Sequence, residues 1–200
     1  MDITLYYTLV IIFIVCIIYG IRLMNSPRTA TKGNLLGAIS VAGTILLTLY
    51  KNEIINNYVL WISIIIGSMI GYYIGIKVTM IKMPQMIALL NGLGGGASGL
   101  VSIIVLLEYQ QNTGSLLENT AAVLALIVGW ITFSGSIIAA LKLSRMISQH
   151  PVQLKGHNII ISLCSFLICI TATLTLRWTS NEIFIALLFV FSNIWGIVFT

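Results

Sequence analysis

Any chemistry in this chain has to come from two short stretches. One is MPQMIALLNGLGGGASGL, Met83–Leu100, where Asn91 stands at the edge of a glycine-rich run. The other is GWITFSGSIIAALKL, Gly129–Leu143, in which Thr132, Ser136 and Ala139 are spaced by four and three and Gly135 adds a small neighbour. Elsewhere the reactive side chains are scattered. His150 and His157 flank Pro151 in a polar connection and read as solvated loop histidines. Cys16, Cys164 and Cys169 sit in apolar runs without metal-ligand spacing and read as small buried apolar side chains. No nucleophile–base pair and no metal cluster emerges, so no metal is expected.

The glycine-rich stretch admits two readings. Gly92, Gly94 and Ala97 fit the G-x-G-x-x-G/A spacing of a nucleotide-phosphate cradle. That cradle needs a preceding strand and an acidic residue about 20 positions on. Here the glycines lie inside an apolar run of helical length, and the downstream position is Gln110–Gly114. The second reading is a close-packing face. Gly92, Gly96 and Gly99 recur at spacings of four and three, with Ala88, Gly95 and Ser98 broadening the face. Small residues let membrane helices approach closely, because in lipid no hydrophobic force favours a neighbouring helix over an acyl tail. Such a smooth face would also leave room for water or for a helix to rotate. Asn91 would then be a strong hydrogen-bonding group at membrane depth. Thr132 and Ser136 have a plainer alternative, since hydroxyls in membrane helices often bond back to their own i−4 carbonyl.

The elements that must carry these residues follow from composition. Of 200 residues, 58% are hydrophobic and 8% charged, against about 25% charged in soluble domains. A surface so poor in charge cannot face water, so the solvent is lipid. Seven apolar runs approach the roughly 20 residues that span a bilayer as helix. They are Leu5–Leu23, Leu35–Tyr50, Tyr58–Ile76, Met86–Leu107, Thr120–Leu141, Asn158–Leu176 and Ile183–Phe199. The second is short and is expected to borrow Gly33 and Asn34, and Pro84 should stand in the first turn of the fourth. The predicted fold is an all-α polytopic bundle of seven membrane helices. The acidic leader MDIT and the lack of a small-x-small cleavage site argue that the first run is retained.

Charge placement orients the bundle. Eight of the ten basic residues fall in the odd-numbered connections: Arg22, Arg28 and Lys32; Lys77 and Lys82; Lys142, Arg145 and Lys155. Lys51 and Arg177 lie on the other side with all five acids, Asp2, Glu53, Glu108, Glu118 and Glu182. The positive-inside rule then places the N-terminus outside. The net charge of +5 is too dispersed for a nucleic-acid footprint. No carboxylate, Lys or His is expected at membrane depth, so the usual intramembrane proton carrier is missing.

Three segments together resemble the beta subunit of proton-translocating NAD(P) transhydrogenase. They are SPRTATKGNLLG, KVTMIKMPQMIALLNGLGGGASGLV and ITFSGSIIAALKL, in that order and spacing. The resemblance covers essentially the whole chain and implies that residues 1–200 form the transmembrane proton-channel domain. It also implies an alpha-subunit partner that binds NAD(H), a dimer of alpha–beta units, and a bacterial inner membrane. The soluble NADP(H)-binding domain and the last two membrane helices of the family are absent from these residues, so the chain is expected to be C-terminally truncated, and both nucleotides would bind outside it. FSNIWGIVFT, which ends in apolar residues, accords with that expectation. By the resemblance Asn91 stands where some relatives place a histidine of the proton path, and Ser136 matches a serine of the adjoining pore helix. The residues alone leave two rivals open: a stand-alone channel or small transporter, and a non-catalytic scaffold.

Overall fold

The computed structural model describes residues 3–109, 116–148, 156–178 and 182–200. These residues form seven helices long and apolar enough to cross a membrane, and no strand. They are α1 (Ile3–Met24), α2 (Ala30–Lys51), α3 (Tyr58–Lys77), α4 (Met83–Tyr109), α5 (Leu116–Leu143), α6 (His157–Arg177) and α7 (Glu182–Phe199). The protein is a polytopic helical membrane protein. His150, Asp2 and Lys155 lie outside the described residues.

Helix ends follow local chemistry. Pro84 is the second residue of α4, where its missing N–H leaves no bond unmade. Glu118 and Glu182 occupy the first turns of α5 and α7, and Arg22, Lys51, Lys77, Lys142 and Arg177 the last turns of their helices. Each charge opposes the helix dipole end beside it. The second helix takes in Gly33 and Asn34, as expected, and begins three residues earlier still, at Ala30. The Gly33 amide bonds the Thr29 carbonyl at 2.9 Å, so the polar segment Ala30–Asn34 is already helical. Thr29 secures this start by donating its hydroxyl to the Leu23 carbonyl at 2.6 Å.

The chain divides into two compact units, Met1–Ile74 and Gly75–Thr200. In the first, α1 and α2 meet through glycine. A Cβ at Gly33 would lie 2.5 Å from the Gly20 carbonyl oxygen and 2.9 Å from Leu23 Cβ. Nearer the other end, Gly43 receives the Phe13 ring, 2.5 Å from where its Cβ would be. α3 contains no buried residue.

In the second unit α5 is the central helix, with α4 against one side and α7 against another, and α6 packed on α7. The core gathers Val123, Leu126 and Trp130 of α5, Leu106 of α4, Ile168 of α6, and Ile185 and Leu188 of α7. Trp130 stands edge-on to Phe133 and Phe189, with ring centroids 5.3 Å and 4.5 Å away. Trp195 donates its indole N–H to Ser165 at 2.8 Å, joining α7 to α6.

Two expectations need correcting. His157 is the first residue of α6 rather than part of a solvated loop, and its Nδ1 is buried with no hydrogen-bond partner among the described residues. Of the three free cysteines, only Cys164 is buried; Cys16 is half-buried and Cys169 exposed on the apolar surface of its helix. In lipid a thiol can face outward at little cost.

Gly94 and Gly95 separate packing from helix propensity. A Cβ at Gly95 would meet the Gly129 carbonyl oxygen and Thr132 Cβ, each at 2.8 Å, whereas one at Gly94 meets nothing within 4 Å. Overpacking typically costs about 1–3 kcal/mol, while Gly→Ala in an open helical position gains up to about 1 kcal/mol. Gly95→Ala is therefore expected to lower the unfolding midpoint in a detergent titration, and Gly94→Ala to hold or raise it.

Candidate functional site

The site begins with the glycines of α4. A Cβ at Gly92 would lie 3.1 Å from Ser136 Cβ and 3.4 Å from the Phe133 carbonyl oxygen. At Gly96 it would meet the Phe133 ring at 2.7 Å, and at Gly99 the Trp130 indole nitrogen at 2.7 Å. From the opposite side, a Cβ on Gly129 would fall 2.7 Å from both the Gly95 carbonyl oxygen and the Gly99 nitrogen. Thus Gly92, Gly95, Gly96 and Gly99 all lie in one seam against α5. The seam is filled, contrary to the expected room for water or rotation, because α5 places Phe133, Trp130 and its own backbone in the space.

This close approach brings the two flagged polar residues together. Asn91 donates from Nδ2 to Ser136 Oγ at 3.0 Å. Asn91 lies eight residues into α4, and Ser136 seven residues before the end of α5. At 1.5 Å per residue both lie roughly 10–12 Å from the same end of the helix pair, within spans apolar enough to cross a membrane. Asn91 is exposed on the chain's surface and Ser136 half-buried. The bond uses one amide hydrogen and a lone pair of the hydroxyl. The amide carbonyl and the hydroxyl hydrogen remain to engage water or another side chain.

Thr132 lies one turn from Ser136 and sets its Cβ and Cγ2 against Gly95, at 2.8 Å and 3.0 Å from where a Cβ would stand. Gly135 does not belong to this face. A Cβ there would meet Thr200 Oγ1 at 2.9 Å and the Gly196 carbonyl at 3.4 Å, so it faces α7. One residue rotates a helix position by about 100°, enough to carry Gly135 from the α4 seam to the α7 seam. In that second seam Gly196 sits against the Ile131 carbonyl and the Ser134 hydroxyl. Ser134 bonds back to the Trp130 carbonyl at 2.9 Å, the arrangement that was the alternative for Ser136.

Sequence reasoning passed over Gln85. Its Nε2 donates to the Leu143 carbonyl at 2.9 Å, tying the start of α4 to the end of α5. The same residue lines an open cavity of about 290 Å³ with Lys82, Leu89, Ala140 and Ser144. Ala140 is one turn from Ser136, but neither Asn91 nor Ser136 lines the cavity itself. The available signal was a glutamine directly after Pro84, six residues before Asn91. Among the described residues no group of His, Cys, Asp or Glu could hold a metal ion.

The family described as NAD(P) transhydrogenase beta subunit matches residues 6–200. Two sequences from Rhodospirillum rubrum named NAD(P) transhydrogenase subunit beta are each 36% identical over 147 residues, covering 69% of this chain and 31% of theirs. This chain thus spans about a third of the length of the curated relatives it matches. With a family match across nearly all of its residues, the chain belongs to the NAD(P) transhydrogenase beta-subunit family.

A double-mutant cycle tests the interhelical bond. Asn91→Leu and Ser136→Ala should together destabilise the bundle by less than the sum of their separate effects. The expected coupling is about 0.6 kcal/mol, rising at most to ~1.7 kcal/mol for membrane hydrogen bonds. Strict additivity in the unfolding titration would mean that the bond does not form.

Proposed function

We propose that this member of the transhydrogenase beta-subunit family is the membrane domain of a proton-translocating enzyme. In this reading a proton crosses the membrane while hydride passes from NADH to NADP⁺, leaving NAD⁺ and NADPH. NAD(H) and NADP(H) are bound by peripheral domains outside these 200 residues, the first by an alpha subunit, in a dimer of alpha–beta units. The enzyme sits in a bacterial plasma membrane with the basic connections in the cytoplasm.

The observation that carries the reading is the Asn91–Ser136 bond, a polar side-chain bridge between α4 and α5 at the edge of their glycine seam. Polar side chains at membrane depth are costly and mark ion or substrate paths. Neither a carboxamide nor an aliphatic hydroxyl exchanges its proton readily near neutral pH. The pair therefore orders water rather than carrying the proton. Its free carbonyl and hydroxyl hydrogen offer one acceptor and one donor to a water file. The group that takes and releases the proton comes from a partner-subunit helix placed against Asn91.

The glycine seam constrains where that file runs. At Gly95 and Gly129 the backbones of α4 and α5 leave no space for a side-chain atom, and hence none for water. The file must pass along the exposed flank of Asn91 rather than between the two helices. The cavity beside Gln85 forms its mouth on the basic side.

Reconstitution of the assembled enzyme in liposomes tests this. Asn91→Leu should slow proton-coupled transhydrogenation at least tenfold while leaving hydride exchange by the peripheral nucleotide domains intact. Asn91→His should restore a coupled rate that varies with pH around the histidine range, about 6.5. An unchanged coupled rate in Asn91→Leu would remove Asn91 from the path.

A further inference from the structure

The first unit holds an open groove that the proton path does not use. It runs between α1 and α2 and has a volume of about 530 Å³. It is lined by small residues of α2, Gly37, Ala38 and Ala42, together with Ile17 and Ile21 of α1 and Val41 of α2. Its lining on α2 extends from Asn34 to Ile45. At 1.5 Å per residue that is about 16 Å, close to the ~15 Å of one leaflet of the hydrocarbon core. The groove is therefore as long as a single acyl chain is deep. Its lining reaches the end of the helix pair beside the basic connection, where Met24 and the polar Asn34 line it.

That edge is strongly one-signed. Arg22, Arg28 and Lys32 stand in and beside the connection from α1 to α2, and no Asp or Glu occurs between Asp2 and Glu53. All three cations are exposed. The connection is held in place rather than loose. Thr29 bonds back to Leu23, its amide bonds the Ser26 carbonyl at 3.1 Å, and the Gly20–Gly33 contact clamps the helices just beneath it. Basic clusters at the end of an interhelical groove attract anionic headgroups. A zwitterionic lipid would fill the apolar trough equally well, but its own headgroup cation offsets its phosphate and leaves the cluster without a net counter-charge.

We propose that the α1/α2 groove is a binding site for an anionic phospholipid of the leaflet facing the basic connections. One acyl chain lies along Ala38 and Ala42. The phosphate sits at the mouth, within reach of Arg22, Arg28 and Lys32, and Asn34 donates to the ester region. The site is independent of Asn91, and the proposal stands whether or not the transhydrogenase reading does.

The experiment is native mass spectrometry of the full native complex, titrated with phosphatidylglycerol and, separately, with phosphatidylcholine of the same acyl chains. The wild type should bind phosphatidylglycerol on the order of tenfold more tightly, the effect of one to two cations at a membrane surface. Arg28→Gln with Lys32→Gln, both exposed and safe for folding, should abolish the preference. Ala38→Phe should displace one bound lipid of either type. Equal binding of the two lipids, or an unchanged preference in the double glutamine variant, would overturn the anionic assignment. Retention of the lipid in Ala38→Phe would overturn the groove. So would disulfide cross-linking of Ala42→Cys to a cysteine on another polypeptide of the assembled complex, because a protein helix would then fill the trough.

Discussion

Everything in the candidate site depends on the contact of two helix backbones at Gly95 and Gly129. In lipid the apolar side chains of α4 and α5 gain nothing by leaving acyl tails for each other, so hydrophobic burial cannot fix their separation. What fixes it is the absence of side-chain atoms. Each glycine lies where a Cβ would collide with the opposite backbone, and the aromatic rings of Trp130 and Phe133 fill the flanks. The interface is rigid because it is already at van der Waals contact, and dispersion falls steeply with any gap. A side chain as short as asparagine can reach across only because the backbones are this close. The hydrogen bond from Asn91 to Ser136 is thus a consequence of the glycines rather than a cause of the pairing.

The same closeness decides what the pair can do. A loose small-residue face would have offered a water channel between the helices. The observed face is dry, and the polar pair sits at its edge with Asn91 open to whatever covers the chain there. A file of water beside such an edge would find a donor and an acceptor in this pair. The stand-alone channel reading therefore loses the feature that favoured it, the smooth glycine face.

Much of this could be read before any coordinates. The seven spans were legible because charge scarcity and run length are physical requirements of crossing lipid, and the family match agrees with the resemblance carried by the three quoted segments. The start of α2 was legible only in part: Gly33 and Asn34 were expected in it, but Ala30–Lys32 were not, because their helical state goes with a backbone bond from Gly33 to Thr29. Asn91 and Ser136 were each conspicuous, but their union depends on the register of α4 against α5, which spacing within one helix does not encode. Gly135 was expected to pack against a helix, but which helix could not be read from the sequence, for a related reason. α5 packs on two sides, and a glycine in it can serve either. The glycines of the first unit had the same four-residue spacing at Gly33 and Gly37, beside a basic loop that drew attention to charge instead. Gln85 was hidden by Pro84, which marks a helix start and makes a polar residue there unremarkable.

The direction of the Asn91 bond is informative because the chain displays the alternative. Asn193 of α7 donates to the Phe189 carbonyl at 2.9 Å, four residues back in its own helix, and Asn52 does the same with Thr48 at 3.0 Å. Either arrangement satisfies an amide without a neighbour. Asn91 has an equivalent carbonyl behind it, yet its Nδ2 crosses to Ser136. Serine shows a related contrast: Ser134 bonds back within its own helix, Ser165 bonds back and also accepts from Trp195 of α7, and Ser136 accepts from Asn91 across the seam. Local satisfaction is available to both partners, so the crossing reflects geometry: Gly92 removes the one side chain that would stand between them. A larger residue at position 92 would push Ser136 away and return both groups to their own helices. The polar bridge would then disappear without either polar residue having changed.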